Sequence, residues 1–143
     1  MTLPFLITCK QPSVRLYELN DGRFQLIEPG PIAPFMCGYK YLLVEHQLAT
    51  FLGELGLERI RQEPAILFNR GTGEELHSHV RIHVGQLFQR RQLRDLPLEG
   101  LRLLTMDDEY YFASPELKAC LESSSYQYLQ FTEGLEEFAG NGH

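Results

Sequence analysis

Three histidines in one short segment form the pattern in this sequence with the clearest capacity for chemistry. The segment from residue 77 to residue 83 reads His-Ser-His-Val-Arg-Ile-His. In a β-strand alternate side chains point to the same face, so His77, His79, Arg81 and His83 would lie side by side. Imidazoles at this spacing can share a metal ion. The segment therefore indicates one candidate function, a small metal-assisted or histidine-dependent enzyme that uses the face formed by His77, His79 and His83.

The composition of this histidine face argues against a metal site. Arg81 places a fixed positive charge among the imidazoles, and no Cys, Asp or Glu on the same predicted strand completes a ligand set. An enzyme built here would have to use an acid such as Glu75 or Asp108 from outside that strand. We therefore expect no metal and no other cofactor. Elemental analysis of the purified protein should find no stoichiometric transition metal, and about one equivalent of zinc would contradict this expectation.

Other catalytic patterns are missing from the sequence. No serine or cysteine lies in a recognised nucleophile motif, and the turn 71–73 has no following lysine of the kind that a phosphate-binding loop needs. The three cysteines, Cys9, Cys37 and Cys120, are far apart and have no paired spacing, which is typical of reduced thiols. We therefore expect a protein that binds a partner and has no catalytic residues.

Two acidic turns are the candidate binding segments. One contains three acids before a tyrosine, and the other lies at the end of a predicted hairpin. Turns are exposed by geometry, and clustered acids accelerate the encounter with a basic protein surface. Acidic turns that are merely solvated are also common, and this alternative stays open. The predicted partner-binding residues, with the first turn favoured, are Asp107, Asp108, Glu109, Tyr110, Glu74 and Glu75.

The overall charge and length exclude several classes of protein. The chain has 143 residues, a net charge of −6 and a pI of about 5.3. Nucleic-acid binders normally have a clustered basic excess, so no nucleic-acid partner is expected. No apolar run reaches the length of a membrane span, and the first ten residues do not have the pattern of a signal peptide. These features predict a cytoplasmic protein, without a membrane partner, that forms a single domain over residues 1–143.

Hydrophobic patterning predicts the elements that position these segments. Apolar runs of strand length occur at 3–8, 14–19, 24–27, 41–44, 65–68, 76–84, 101–105, 110–113 and 126–131. Asn-Asp-Gly at 20–22 and the turn at 69–73 predict two hairpins, and the proline-rich stretch 28–34 predicts an extended loop. A single helical turn is expected over 133–138. The stretches 41–68 and 110–131 resemble each other, because each reads as strand, helix, strand.

Two helices complete the predicted fold. Apolar residues at spacings of three and four follow residue 46, and Gly56 ends that pattern. The second helix has a strong start, because Ser114 can cap free N–H groups and Pro115 suits the first helical position. The expected fold class is α+β, a single domain in which two main helices pack on a mostly antiparallel sheet. The predicted core positions on the helices are Leu48, Phe51, Leu52, Leu55, Leu117 and Leu121.

The strand-helix-strand units resemble a known family. The run 41–48 leads through Leu55-Gly56-Leu57 to Pro64-Ala65-Ile66, and the run 111–118 leads to 128–131. This arrangement is similar to that of immunity proteins of bacterial polymorphic toxin systems, in particular the eleventh-numbered immunity family, formerly a domain of unknown function. The resemblance covers roughly the last hundred residues.

The resemblance implies a function without catalysis. Such a protein binds and neutralises one cognate bacterial toxin by occluding its active site, and the toxin is delivered by a type VI or similar contact-dependent secretion system. An acidic protein suits a toxin with a basic active cleft, because opposite charges favour the encounter. The implied partner is therefore a cognate protein toxin.

Overall fold

Ten strands and two α-helices occur in residues 2–134, the part of the chain that the structure, a computed structural model, describes. A 3-10 helix, Arg90–Asp95, lies in the charged segment that connects β7 to β8. The helices are α1 (His46–Glu54) and α2 (Pro115–Glu122). The strands are β1 (Phe5–Cys9), β2 (Leu16–Glu18), β3 (Phe24–Leu26), β4 (Phe35–Gly38), β5 (Tyr41–Glu45), β6 (Ile60–Asn69), β7 (Glu74–Val84), β8 (Leu103–Met106), β9 (Tyr110–Ala113) and β10 (Leu129–Glu133).

The strands form two sheets. The smaller has the order β10-β1-β9-β8, and the larger has the order β2-β3-β6-β7-β5-β4. All neighbouring strands are antiparallel except β3 and β6, which pair in parallel with Phe24 opposite Leu67. The α+β class is confirmed, as are both predicted hairpins, β2–β3 and β6–β7. The sequence patterns had indicated one sheet, and the second arises because β1 pairs with β9 and β10 from the far end of the chain.

The two strand-helix-strand units share one topology. Strands β5 and β6 each pair antiparallel with β7, which lies between them, so β5 and β6 are parallel to each other. Strands β9 and β10 have the same relation across β1. Each helix therefore joins two parallel strands that are separated by a third strand, a split form of the βαβ unit. The similarity of 41–68 and 110–131 extends to their three-dimensional arrangement.

Strand β4 was not predicted from the sequence. It follows the proline-rich loop directly, and its four residues have no alternation of apolar and polar types. Phe35 belongs to the main hydrophobic cluster, and Met36 belongs to a second cluster on the opposite face of the sheet. Because both faces of β4 are covered, both residues are apolar, and the period-two signal of a half-buried strand is lost.

Both helices pack into the main hydrophobic cluster between the sheets. The Ser114 hydroxyl accepts a hydrogen bond from the N–H of Leu117 at 3.4 Å, as the predicted cap requires. Four of the six predicted helical core residues are buried: Leu48, Leu52, Leu117 and Leu121. The other two, Phe51 and Leu55, are only partly buried at the margin of this cluster. The Phe51 ring packs against that of Tyr126, with centroids 5.5 Å apart, and Leu55 directly follows α1.

A second cluster covers the other face of the larger sheet. The segment 10–34, which includes strands β2 and β3 of this sheet, contributes Val14, Leu16 and Ala33 to the second cluster. His79, Arg81 and His83 lie on this side, whereas Val80, Ile82 and Val84 enter the main cluster. The prediction that His77 continues this row is wrong, because a register shift between β6 and β7 turns Leu76 toward the second cluster and interrupts the alternation at His77. The helical turn expected at 133–138 falls mainly outside the described residues, and Glu133 itself ends strand β10.

Candidate functional site

The histidines of β7 are each held by a separate partner. The carbonyl oxygen of Ala33 lies 2.8 Å from Nε2 of His79, and because a carbonyl can only accept, Nε2 carries the proton. Nδ1 then accepts a hydrogen bond from the Ser78 hydroxyl at 2.8 Å. His83 Nε2 lies 2.6 Å from a carboxylate oxygen of Glu63. The exposed His77 lies 3.8 Å from the Glu75 carboxylate.

Arg81 separates these imidazoles and is itself fully engaged. Its guanidinium donates to the Glu18 carboxylate at 2.8 Å and to the Lys40 carbonyl at 2.8 Å. The same group lies over the ring of Phe24, 5.3 Å from the centroid. Within residues 2–134, no three His, Cys, Asp or Glu side chains converge in a way that could hold a metal ion. The contacts of His79 and Arg81 attach the surface of the larger sheet to other segments of the chain, at Ala33, Glu18 and Lys40.

Burial of His79 predicts a pH-dependent stability. Burial lowers the pKa of His79 because it penalises the imidazolium, although the Ala33 carbonyl and the Glu45 carboxylate favour the proton. The unfolded chain therefore binds this proton at a higher pH than the folded protein does. We expect the free energy of unfolding to fall as the pH drops below about 6.5, until His79 is protonated in the folded state as well.

Urea denaturation at several pH values between 5 and 7.5 would measure this effect. In a His79→Gln variant the decrease should be shallower. The matched control is His77→Gln, since His77 is exposed and its removal should leave the slope of the parent protein. Equal slopes for the parent and the His79→Gln variant would show that His79 does not carry this pH dependence.

The first acidic turn joins β8 to β9 and is held tightly to the fold. Asp107 and Asp108 have positive φ angles of 62° and 53°. The buried Tyr111 donates its hydroxyl proton to the carbonyl and carboxylate oxygens of Asp108, at 3.0 and 2.9 Å. Asp107 is exposed, whereas Glu109 is half-buried. Asp107 and Glu109 are thus the acids of this turn that a partner could contact, since Asp108 is occupied within the fold.

The second acidic segment begins β7 and is largely neutralised by its neighbours. Glu75 accepts a hydrogen bond from Arg23 at 3.1 Å and also faces His77. Arg23 is paired at the same time with Asp21 at 2.9 Å. Glu74 is exposed. This segment belongs to the larger sheet and the first turn belongs to the smaller one, so the structure does not unite the predicted residues in a single site.

An apolar groove that the sequence patterns did not indicate lies beside strand β4. Its volume is about 520 Å³, and it is lined by the end of β1, by residues 13–17 and by all four residues of β4. Three large apolar side chains at this groove are strongly exposed: Tyr17 by 63%, Ile27 by 51% and Tyr39 by 72%. They come from three separate segments, so no spacing along the chain announces them. We call this feature the β4 groove.

The first acidic turn borders the β4 groove. Strand β9 contacts β4, and the negative charge of Glu109 acts on both Tyr110 and the groove residue Cys37. The pKa of Tyr110 is raised, mainly by the negative charge of Glu109, with smaller contributions from Asp107 and Cys37. Exposed aromatic side chains and unneutralised acids therefore meet on one surface of the molecule.

The fold and the site define the class of this protein as an α+β domain with an apolar groove beside an acidic turn. No family model, no curated protein and no solved structure matches the chain. Neither helix in residues 2–134 has the length and apolarity needed to cross a bilayer.

Proposed function

We propose that this protein is a cytoplasmic immunity protein that binds and neutralises a cognate bacterial toxin by occluding its active site. The toxin reaches the cell through a type VI or similar contact-dependent secretion system and has a basic active cleft. The observation that carries the proposal is the β4 groove, with Tyr17, Ile27 and Tyr39 exposed beside the acidic turn at 107–109.

This surface has the features of a protein-binding site. Exposed aromatic residues supply most of the binding energy at interfaces, because each buries a large area at a small cost in conformational entropy. Acidic side chains at the rim accelerate the encounter with a basic partner. Large apolar side chains grouped around one groove are uncommon on proteins that bind nothing. Two of the three histidines of β7, His79 and His83, have hydrogen-bond partners within the fold, Ala33 and Glu63.

The protein encoded directly beside this gene is the partner to test. Expression of that protein in a bacterial cytoplasm should arrest growth, and co-expression of this chain should restore growth. The purified pair should form a stable complex, and the toxin's activity should disappear at a one-to-one ratio. A harmless neighbour, or a toxic one that this chain neither binds nor inhibits, would refute the proposal.

The acidic turn should control the rate of this association. Neutralising it with Asp107→Asn and Glu109→Gln removes two charges, and asparagine tolerates the positive φ at position 107. Asp108 is left unchanged because it holds Tyr111. We expect the association rate constant to fall roughly threefold to tenfold at low salt and to depend less on salt concentration.

A control of equal charge is available at the C-terminal end of α1. Glu54→Gln with Glu58→Gln also removes two exposed carboxylates, far from the turn in sequence. This variant should retain the rate and salt dependence of the parent protein, measured by stopped-flow or surface plasmon resonance. An unchanged rate in the Asp107→Asn, Glu109→Gln variant would remove the turn from the interface.

A further inference from the structure

Strand β4 presents an unpaired edge. It pairs with β5 alone among the strands of residues 2–134, and it is the last strand of the larger sheet. The N–H of Glu45 donates to the carbonyl of Pro34 at 2.8 Å, which sets the alternation of the ladder. Met36 and Gly38 therefore bond to β5, whereas the N–H and C=O groups of Phe35 and Cys37 point outward. Phe35 is buried and Cys37 is exposed, so the outward groups that a partner can reach are those of Cys37.

A second unpaired edge lies on the other wall of the same groove. Strand β1 pairs with β10 along its whole length but with β9 only at Phe5 and Leu6. The last residues of β1 have no strand on that side within the described chain. Thr8 and Cys9 from this segment line the β4 groove together with the residues of β4. The groove is therefore a slot between two strand edges.

The dimensions and lining of the slot suit an extended polypeptide. Four residues of β4 span about 13 Å, which matches about four residues of a partner strand. In an extended segment alternate side chains point to one face, so an apolar set could enter the slot while the other set stays in solvent. Tyr17, Ile27 and Tyr39 then cover the inserted residues from the rim.

The charges around the slot select the occupant. Strand β9, which follows Asp107 and Glu109, contacts β4, and the charge of Glu109 acts on Cys37 in the second half of β4. A basic side chain at the matching end of the occupant would face these acids. The net charge of −6 disfavours an acidic segment.

We propose that the β4 groove binds an extended segment of a partner protein, which adds a strand to the free edge of β4. The segment has apolar side chains at alternate positions and a lysine or arginine at the end next to Asp107. This inference rests on the proposed function in that the toxin supplies the segment. It identifies the binding surface as a strand edge, whereas the proposed function requires only that the protein cover the toxin's active site.

The probe is a phage library of random dodecapeptides, panned against the full-length protein. We expect enriched sequences with alternating apolar residues and a flanking basic residue. Enriched peptides would be synthesised and titrated while amide hydrogen exchange is followed by NMR. Binding should slow exchange about tenfold or more at the exposed Cys37, whose amide points outward. The amides of Met36 and Gly38 should change little, because β5 already protects them.

A pair of substitutions at one position separates the backbone contact from the side chain. Cys37→Pro removes an outward N–H and no bond to β5, and proline is tolerated on an edge strand in that orientation. Cys37→Ala makes a similar change to the side chain but keeps the N–H. We expect Cys37→Pro to weaken peptide binding about tenfold or more, since one bonded donor is lost, and Cys37→Ala to retain binding within about twofold.

Several results would overturn the proposal. They are the absence of enriched peptides, protection of amides outside β4, or equal binding by Cys37→Pro and Cys37→Ala. If Cys37→Pro fails to fold, hydrogen exchange in the parent protein still tests whether the peptide binds to the edge of β4. Protection of Cys37 without peptide, together with a dimer in sedimentation, would identify a second copy as the occupant.

A neighbouring protein that fails to bind refutes the proposed function but leaves the peptide result unaffected. A toxin that binds Cys37→Pro and the parent protein equally refutes only the strand addition.

Discussion

Replacing Leu52 by alanine is expected to destabilise the protein by about 2 to 5 kcal/mol. The side chain of Leu52 is 4% exposed and lies in the main cluster, at the face of α1 that packs between the two sheets. Truncation removes its transfer free energy and leaves a cavity that Leu48 and Leu121 cannot fill without moving. Urea denaturation should show a lower midpoint with an unchanged slope.

Leu55→Ala is the matched control for this change. Leu55 is the residue that directly follows α1, it is only partly buried, and the substitution removes the same atoms. Its cost should be clearly smaller, on the order of 1 kcal/mol. Equal losses in the two variants would mean that α1 does not present Leu52 to the main cluster in the way the structure shows.

Phe24→Ala should have the largest effect outside the main cluster, a loss of about 3 to 5 kcal/mol. Phe24 is 1% exposed and lies in the second cluster, with its ring centroid 5.4 Å from that of Tyr41. The Arg81 guanidinium, which Glu18 and the Lys40 carbonyl also hold, covers the ring from the other side. Removing the ring therefore weakens both the cluster and the attachment of the segment 10–34.

The shape of the unfolding curve tests whether the two clusters act together. They share the strands of the larger sheet, with Leu43 in one cluster and Val44 in the other. We expect one cooperative transition for the Phe24→Ala variant, followed by near- and far-UV circular dichroism. The partly buried Phe51 is the control, and Phe51→Ala should cost less. Two separate transitions would show that the segment 10–34 folds on its own.

Local signals in the sequence were sufficient for much of the secondary structure. The serine before α2 accepts a hydrogen bond from a free N–H group of the first turn, and the proline suits the first helical position, so neighbouring residues alone predict this helix start. The start is confirmed. The turns at 20–22 and 69–73 each lie between adjacent strands of one hairpin, so the information for these pairings is contained in neighbouring residues. Strand β6 proved longer than its apolar stretch 65–68, because its polar first half pairs with β7.

The remaining features depend on contacts between distant segments. Strand β4 has no alternation, because Phe35 and Met36 enter different clusters. The β4 groove combines residues from three separate parts of the chain, so no window of sequence contains it. The acidic turn was located correctly at 107–109, but the role of Asp108 was not foreseen. Asp108 accepts a hydrogen bond from Tyr111, which is fully buried, and no local pattern announces this contact.

The position of β1 has a consequence for the order of events during synthesis on the ribosome. The larger sheet uses residues between 16 and 84, so its strands are available early in the nascent chain. Strand β1 is translated before the strands of the larger sheet, yet its partners β9 and β10 begin at residues 110 and 129. The buried side chains Leu6 and Ile7 must therefore wait, without their sheet, until nearly all of the described chain has left the exit tunnel. The smaller sheet therefore forms late. Until it forms, the apolar side chains of β1 stay exposed, and a ribosome-associated chaperone could bind them.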